Sequence, residues 1–216
     1  MLFLAFASYL LGAVPFGFLI GKINGIDIRQ QGSGNIGATN VFRCVGKAWG
    51  ITAFLMDFAK GLAASIAIPY AGTLCGLPPC NREHILLLGF LAIVGHNWPI
   101  FLKFKGGKGI ATTVGVLAGV APLTIGPGLA AWFVCFVASR YVSFASIAGC
   151  IAVGASSWLF YNDASRDTGW LVPAVLTLLA GMGIWRHRSN IQRLLNGTEN
   201  RFDFSKRKKN TDDDSP

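Results

Sequence analysis

Three short segments hold the residue types that could bind and transform a phosphorylated compound. The first is Gly32-Ser33-Gly34-Asn35-Ile36-Gly37-Ala38-Thr39-Asn40-Val41-Phe42-Arg43. Its glycines let backbone N–H groups face one ligand without Cβ interference, Ser33, Thr39 and Asn40 add donors suited to phosphate oxygens, and Arg43 adds charge. The second runs from Gly95 and His96 through Lys105-Gly106-Gly107-Lys108-Gly109 to Thr112. Two lysines bracket two glycines there, and Gly109 opens a helix whose N-terminal dipole favours an anion, so the pattern reads as a phosphate nest. The third runs from Trp185-Arg186-His187-Arg188-Ser189-Asn190 to Glu199. On a short helix His187 and Asn190 share a face, as do Asn190 and Arg193, so one ligand can meet all three.

Two nucleotide motifs are excluded by context. Gly32 to Gly37 matches G-x-G-x-x-G, and Asp57 stands twenty residues beyond Gly37, where a dinucleotide fold places its ribose-binding acid. That fingerprint needs a preceding strand and a βαβ unit, whereas an apolar helix precedes it here and Asp57 lies inside another. A Walker A loop would require Ser or Thr after Gly107-Lys108, and would require Gly where Leu102 stands; Gly109 follows instead. Asp57 and Lys60, three apart on one helical face, are expected to pair with each other near the membrane edge rather than to act as ligands.

The elements that must position these segments are membrane helices. The chain has 216 residues, is 52% hydrophobic and 13% charged, and has a mean hydropathy of +0.50, more apolar character than one soluble core requires. Apolar runs cover roughly 1–20, 49–70, 84–101, 109–121, 124–139, 142–161 and 169–185. The expected fold is an all-α integral membrane protein, a compact bundle of about seven transmembrane helices over 1–201. The first run has no Lys or Arg ahead of it and no small-residue cleavage site, so it is expected to stay as a permanent helix.

The net charge of +9 records topology rather than nucleic-acid binding. With the N-terminus outside, the inner segments hold Lys22, Arg29, Arg43, Lys47, Lys103, Lys105, Lys108, Arg140 and eight basic residues from Arg186 to Lys209, sixteen in all. The outer loops hold only Arg82 and Arg166, which sets the N-terminus outside, the C-terminus inside, and all three polar segments on the cytoplasmic face. Residues 202–216, with basic residues Lys206 to Lys209 ahead of Asp212 to Asp214, read as a disordered charged tail. Cys44, Cys135 and Cys150 are expected to be reduced, a bridge between Cys75 and Cys80 stays an open option, and no metal-ligand spacing occurs among Cys and His.

The three segments resemble the three motifs of the acyl-phosphate:glycerol-3-phosphate acyltransferase family of bacterial inner membranes. The likeness rests on Ser-Gly-Asn-Ile-Gly-Ala-Thr-Asn with Arg43, on Gly-His-Asn-Trp-Pro with Phe-Lys-Gly-Gly-Lys-Gly, and on His-Arg-Ser-Asn-Ile-Gln-Arg-Leu with Gly197 and Glu199. The resemblance implies transfer of a fatty acyl group from acyl phosphate to the 1-hydroxyl of glycerol 3-phosphate, giving lysophosphatidic acid and phosphate, by a monomer that needs no cofactor or metal. It implies direct transfer without an acyl-enzyme, the acceptor's own phosphate helping to remove the hydroxyl proton.

By motif match Ser33, Arg43, His187 and Asn190 form the catalytic set, positioning glycerol 3-phosphate and meeting transition-state charge. Lys105, Gly106, Gly107, Lys108 and Gly109 hold the donor phosphate, Thr39 and Asn40 lie between the two substrates, and Asn35, His96 and Arg193 complete the substrate-binding set. Glu199 ties the third motif down. Acyltransferases that use acyl-CoA or acyl-carrier protein carry His with Asp five positions on; here Gly89, Phe101 and Gln192 follow His84, His96 and His187 at that distance. The rival class, a transporter for phosphorylated solutes, would put polar breaks near the bilayer midplane and repeat its halves, and neither mark is visible.

Overall fold

The computed structural model describes residues 1–162 and 169–202, and every regular element in them is helical. In chain order these are α1 (Leu2–Ala13), α2 (Phe16–Ile23), α3 (Ala38–Cys44), α4 (Lys47–Ser65), α5 (Ala67–Leu74), α6 (Arg82–Asn97), α7 (Ile110–Val120), α8 (Ile125–Ser139), α9 (Val142–Tyr161), α10 (Leu171–Arg186) and α11 (Arg188–Leu195), with 3-10 turns at Ile100–Leu102 and Pro122–Thr124. Four stretches are long and apolar enough to cross a membrane: Leu2–Ile23, Arg82–Leu102, Pro122–Ser139 and Val142–Tyr161. The pair α4 and α5, bent by 42°, makes a fifth when counted as one span. The shorter apolar helices α7 and α10 occupy the two remaining runs. Arg166 and the tail from 203 onward lie outside the described residues.

The breaks have local causes. Pro15 has no N–H to continue the ladder of α1, and at this break the Val14 carbonyl accepts hydrogen bonds from the Phe16 N–H at 3.2 Å and from Lys60 Nζ at 2.9 Å. Lys60 also lies 2.8 Å from Asp57 Oδ1, so the pair read from spacing forms, both members buried. Asn81 caps α6 by accepting the His84 N–H at 2.9 Å. Cys75 and Cys80 are both free thiols, so the loop between α5 and α6 carries no bridge.

Lipid tails are as apolar as leucine, so these helices associate by close backbone approach at small residues. A Cβ on Gly12 would stand 2.1 Å from the Ala92 carbonyl oxygen and one on Gly95 would stand 2.2 Å from that of Tyr9, which locks α1 to α6. A Cβ on Gly61 would stand 2.1 Å from the Thr112 oxygen and one on Gly115 would stand 2.0 Å from that of Phe58, which locks α4 to α7. Large apolar side chains instead face outward, among them Leu2, Phe3, Phe133, Val137, Leu159 and Leu178. An interior core of Leu86, Ile93, Val116, Leu117 and Leu176 joins α6, α7 and α10.

Gly115→Ala should push α4 and α7 apart and destabilise the detergent-solubilised protein by about 1–3 kcal/mol, the usual range for overpacking. Gly126→Ala in α8, whose added Cβ meets nothing within 4 Å, should leave the unfolding temperature no lower in the same thermal assay.

Candidate active site

The first segment is held by an amide that is buried to 2% exposure. Asn40, on α3, accepts the Ser33 N–H on Oδ1 at 2.9 Å and donates from Nδ2 to the carbonyls of Ile28 and Gln31 at 2.8 and 3.0 Å. Gly32, at φ +59°, passes so close that a Cβ there would meet Asn40 Oδ1 at 2.3 Å. Asn40 therefore organises the loop with both of its amide hydrogens. Asn35 makes a local turn, its Oδ1 accepting the Gly37 N–H at 2.8 Å. Ser33, Asn35, Thr39 and Arg43 line a common cleft, Thr39 and Arg43 one helical turn apart, and Arg43 also donates to the Asn200 carbonyl at 3.2 Å.

The second segment folds back on the end of α6. Gly107 donates its N–H to the His96 carbonyl at 3.1 Å, and a Cβ on it would sit 2.0 Å from His96 Nε2. Arg186 donates to the carbonyls of Gly106 and Gly107, each at 3.0 Å, and its guanidinium lies 5.3 Å from the Trp98 ring centroid. The two glycines thus serve close contact, with the Gly107 N–H already engaged, and neither lines the cleft. Lys105 is exposed and also stays out of it. Of the expected nest, Lys108 and Gly109 face the cleft, together with His96.

The third segment brings His187 and Asn190 to the same cleft. His187 Nδ1 lies 2.8 Å from the Gly183 carbonyl, which can only accept, so Nδ1 carries the proton and Nε2 keeps its lone pair. Burial, helped by the nearby Lys108 cation, pushes the His187 pKa down to about 4, so the ring is neutral near pH 7. Asn190 Oδ1 accepts from Lys108 Nζ, and its Nδ2 donates to Glu199 Oε1 at 2.7 Å. Arg193 is turned to Glu199 Oε2, at 2.7 Å, and does not line the cleft.

Glu199 is the hub of these contacts. It takes Asn190 and Arg193 from α11 and also Ser143 Oγ from α9, at 2.8 Å. Burial alone would raise its pKa, but hydrogen bonds from Asn190, Arg193 and Ser143 together hold it below the usual carboxylate range. Burial pushes the Lys108 ammonium down to about 8; Glu199 opposes that, while Arg193, Arg43 and Arg186 add to it.

The cleft encloses about 360 Å³ in all, and below this polar mouth it continues as an apolar groove walled by α7 to α10 through residues such as Val114, Leu129, Trp132, Val153 and Leu179. Sequence reasoning did not find this wall, nor Ser143 in it, because their residue types in apolar runs look the same whether they face lipid, core or ligand. The arrangement suits a compound with an anionic head and a hydrocarbon tail: cations and hydroxyls at the mouth, a neutral imidazole beside them, and an apolar channel beneath.

The profile of the glycerol-3-phosphate acyltransferase family matches residues 2–197. The chain belongs to this family. Similar glycerol-3-phosphate acyltransferases include that of Desulforudis audaxviator, 43% identical over 200 residues that make up 92% of this chain and 94% of that one. That of Aquifex aeolicus is 41% identical over 202 residues, 93% and 98% of the two chains. Among solved structures, the glycerol 3-phosphate form of PlsY, an integral membrane glycerol 3-phosphate acyltransferase, shares 38% identity and a TM-score of 0.80 over 94% of this chain and 95% of that one. Its lysophosphatidic acid form gives a TM-score of 0.77 over the same shares. The chain is an integral membrane acyltransferase of this family, and family membership decides against the solute-transporter alternative.

Because Glu199 supports the charge on Lys108, Glu199→Gln in this acyltransferase should move the loss of that charge below its wild-type position near pH 8. The alkaline limb of kcat/KM, which reports free-enzyme ionisations, should shift to lower pH accordingly. A pH–rate profile of the two proteins checks this.

Proposed function

We propose that this acyltransferase moves a fatty acyl group from acyl phosphate to the 1-hydroxyl of sn-glycerol 3-phosphate, releasing lysophosphatidic acid and inorganic phosphate at the cytoplasmic face of a bacterial inner membrane. The observation that carries the reading is the single cleft into which Ser33, Arg43, Lys108, His187 and Asn190 converge above an apolar groove. One substrate is anionic and soluble, the other anionic with a hydrocarbon chain, and this cleft offers both environments at one point.

In the reaction the acceptor hydroxyl attacks the acyl carbonyl carbon, the new ester C–O bond forms, and the bond from that carbon to the donor phosphate oxygen breaks. The hydroxyl proton passes to the acceptor's own phosphate, and inorganic phosphate leaves. Lys108 and the start of α7 at Gly109 hold the donor phosphate, with Lys105, Gly106 and Gly107 in the loop that presents them. Arg43 and Ser33 bind the acceptor phosphate, Thr39 stands between the substrates, and Asn40 acts by holding the Ser33 loop. A neutral His187 with a free Nε2 accepts a hydrogen bond from the attacking hydroxyl, orienting it, and Asn190 contributes to the developing charge. The enzyme works as a monomer with seven crossings, N-terminus outside and C-terminus inside, the orientation favoured by the distribution of Lys and Arg.

Purified protein given acyl phosphate and glycerol 3-phosphate should form lysophosphatidic acid, whereas comparable turnover with acyl-CoA would overturn the donor assignment. In the same assay His187→Ala should lower kcat by roughly 100-fold with little change in KM, as loss of one preorganised contact in the transition state commonly does. Lys108→Ala should mainly raise KM for acyl phosphate, because phosphate grip is similar in ground and transition states.

The orientation predicts that a single cysteine placed at position 43 or 187 resists a membrane-impermeant thiol reagent added to intact cells, while one at position 82 reacts. Labelling at 43 or 187 from outside would reverse the topology.

A further inference from the structure

Asp57 and Lys60 take no part in the transfer chemistry, yet they are ionisable residues buried to 2% and 3% exposure inside a membrane domain. Charges in such a place are costly unless they are paired, and they mark a functional requirement by default. Asp57 reaches the edge of the cleft, but a carboxylate repels the two phosphorylated substrates and cannot bind them. Its contacts run to other side chains of the protein. Oδ1 lies 2.8 Å from Lys60 Nζ and 3.5 Å from His96 Nδ1, and Lys60 is anchored in turn on the Val14 carbonyl where α1 breaks.

His96 is the link to the site. Its ring, 5% exposed, stands between Asp57 on one side and Gly107 on the other, so close to Gly107 that no side chain fits there. Its carbonyl accepts the Gly107 N–H at 3.1 Å. The next residue is Lys108, whose ammonium must reach Asn190 at the mouth of the cleft. Rotation of the imidazole would displace Gly107 and, with it, the backbone from which Lys108 projects.

We infer that Asp57 and Lys60 form a buried positioning pair for the donor-phosphate loop: Asp57 fixes the His96 ring, His96 seats Gly107, and Gly107 sets Lys108 at the cleft. This rests on the assignment of Lys108 to the donor phosphate. The pair acts through another residue, so its loss should appear in donor affinity rather than in the chemical step.

The test replaces the pair by a neutral one, Asp57→Asn/Lys60→Met, since a buried ion pair exchanged as a unit is commonly tolerated where removal of one partner is not. KM for acyl phosphate should rise about tenfold, with kcat and KM for glycerol 3-phosphate within about twofold of wild type. His96→Asn, which leaves the ion pair whole, should raise the same KM by a similar factor, and combining all three changes should add nothing further, because the effects share one route. A role confined to stability would lower the active fraction, and so the apparent kcat, with KM unmoved. An unchanged KM for acyl phosphate in His96→Asn overturns the inference even if the double variant does not accumulate, as does an additive rise in the triple variant. Lys108→Ala separates the two levels: if it leaves that KM unchanged the donor assignment itself fails, and if it raises KM while the neutral pair does not, only the positioning role fails.

Discussion

The polar mouth depends on one carboxylate. Arg43, Lys108, Arg186 and Arg193 come from three parts of the chain, and assembled without a counter-charge they would repel one another in a half-buried space. Glu199 permits the assembly. Its two oxygens collect Ser143, Asn190 and Arg193, and Asn190 extends the reach to Lys108. One negative charge against several positive ones leaves the mouth cationic, so it attracts anions while its own cations hold position. The same contacts hold α9, α11 and the loop ahead of α7 together, so charge balance and geometry have a common origin.

The groove beneath has a different physical basis. Helices that spend their large side chains on lipid have only small residues left for each other, and the glycine contacts of α1 with α6 and α4 with α7 draw those backbones together. α8 is the least buried of the long spans. Together with α9 it forms an outer wall whose inner side is apolar, giving a hydrocarbon channel that ends at the charged mouth. In the proposed reaction an acyl chain held in that channel would present its carboxyl carbon to the charged mouth.

Glycine does two separate jobs in the polar loops. At Gly32 and Gly109 the backbone takes a positive φ that other residues adopt at a cost. At Gly106 and Gly107 the reason is contact: a side chain would collide with the carbonyl of His96 or with its ring. A run of glycines between lysines suggests N–H groups open to an anion, and that was the expectation for all of 105–109. The folded loop instead commits the Gly107 N–H to His96 and the Gly106 and Gly107 carbonyls to Arg186, and it turns Lys108 toward the cleft.

The sequence by itself determined whatever depends on local pattern. Apolar run length located helical stretches, i and i+3 spacing paired Asp57 with Lys60, and residue type marked the three polar segments. It also carried the family, since motif order is a property of the chain alone. What it left open required distances between parts of the chain far apart in number. Lys105 and Lys108 flank the same two glycines and are equivalent as text, yet a contact to Asn190, 82 residues beyond Lys108, turns one into the cleft while the other stays exposed. Asn40 and Asn190 look alike as ligands, but Asn40 spends both of its amide hydrogens on Ile28 and Gln31. Ser143 sits unmarked in an apolar run and acquires a role only because Glu199, 56 residues later, folds against it. Helix formation is short-range and was legible; which face of each helix meets the cleft is decided by packing against partners that local sequence does not encode.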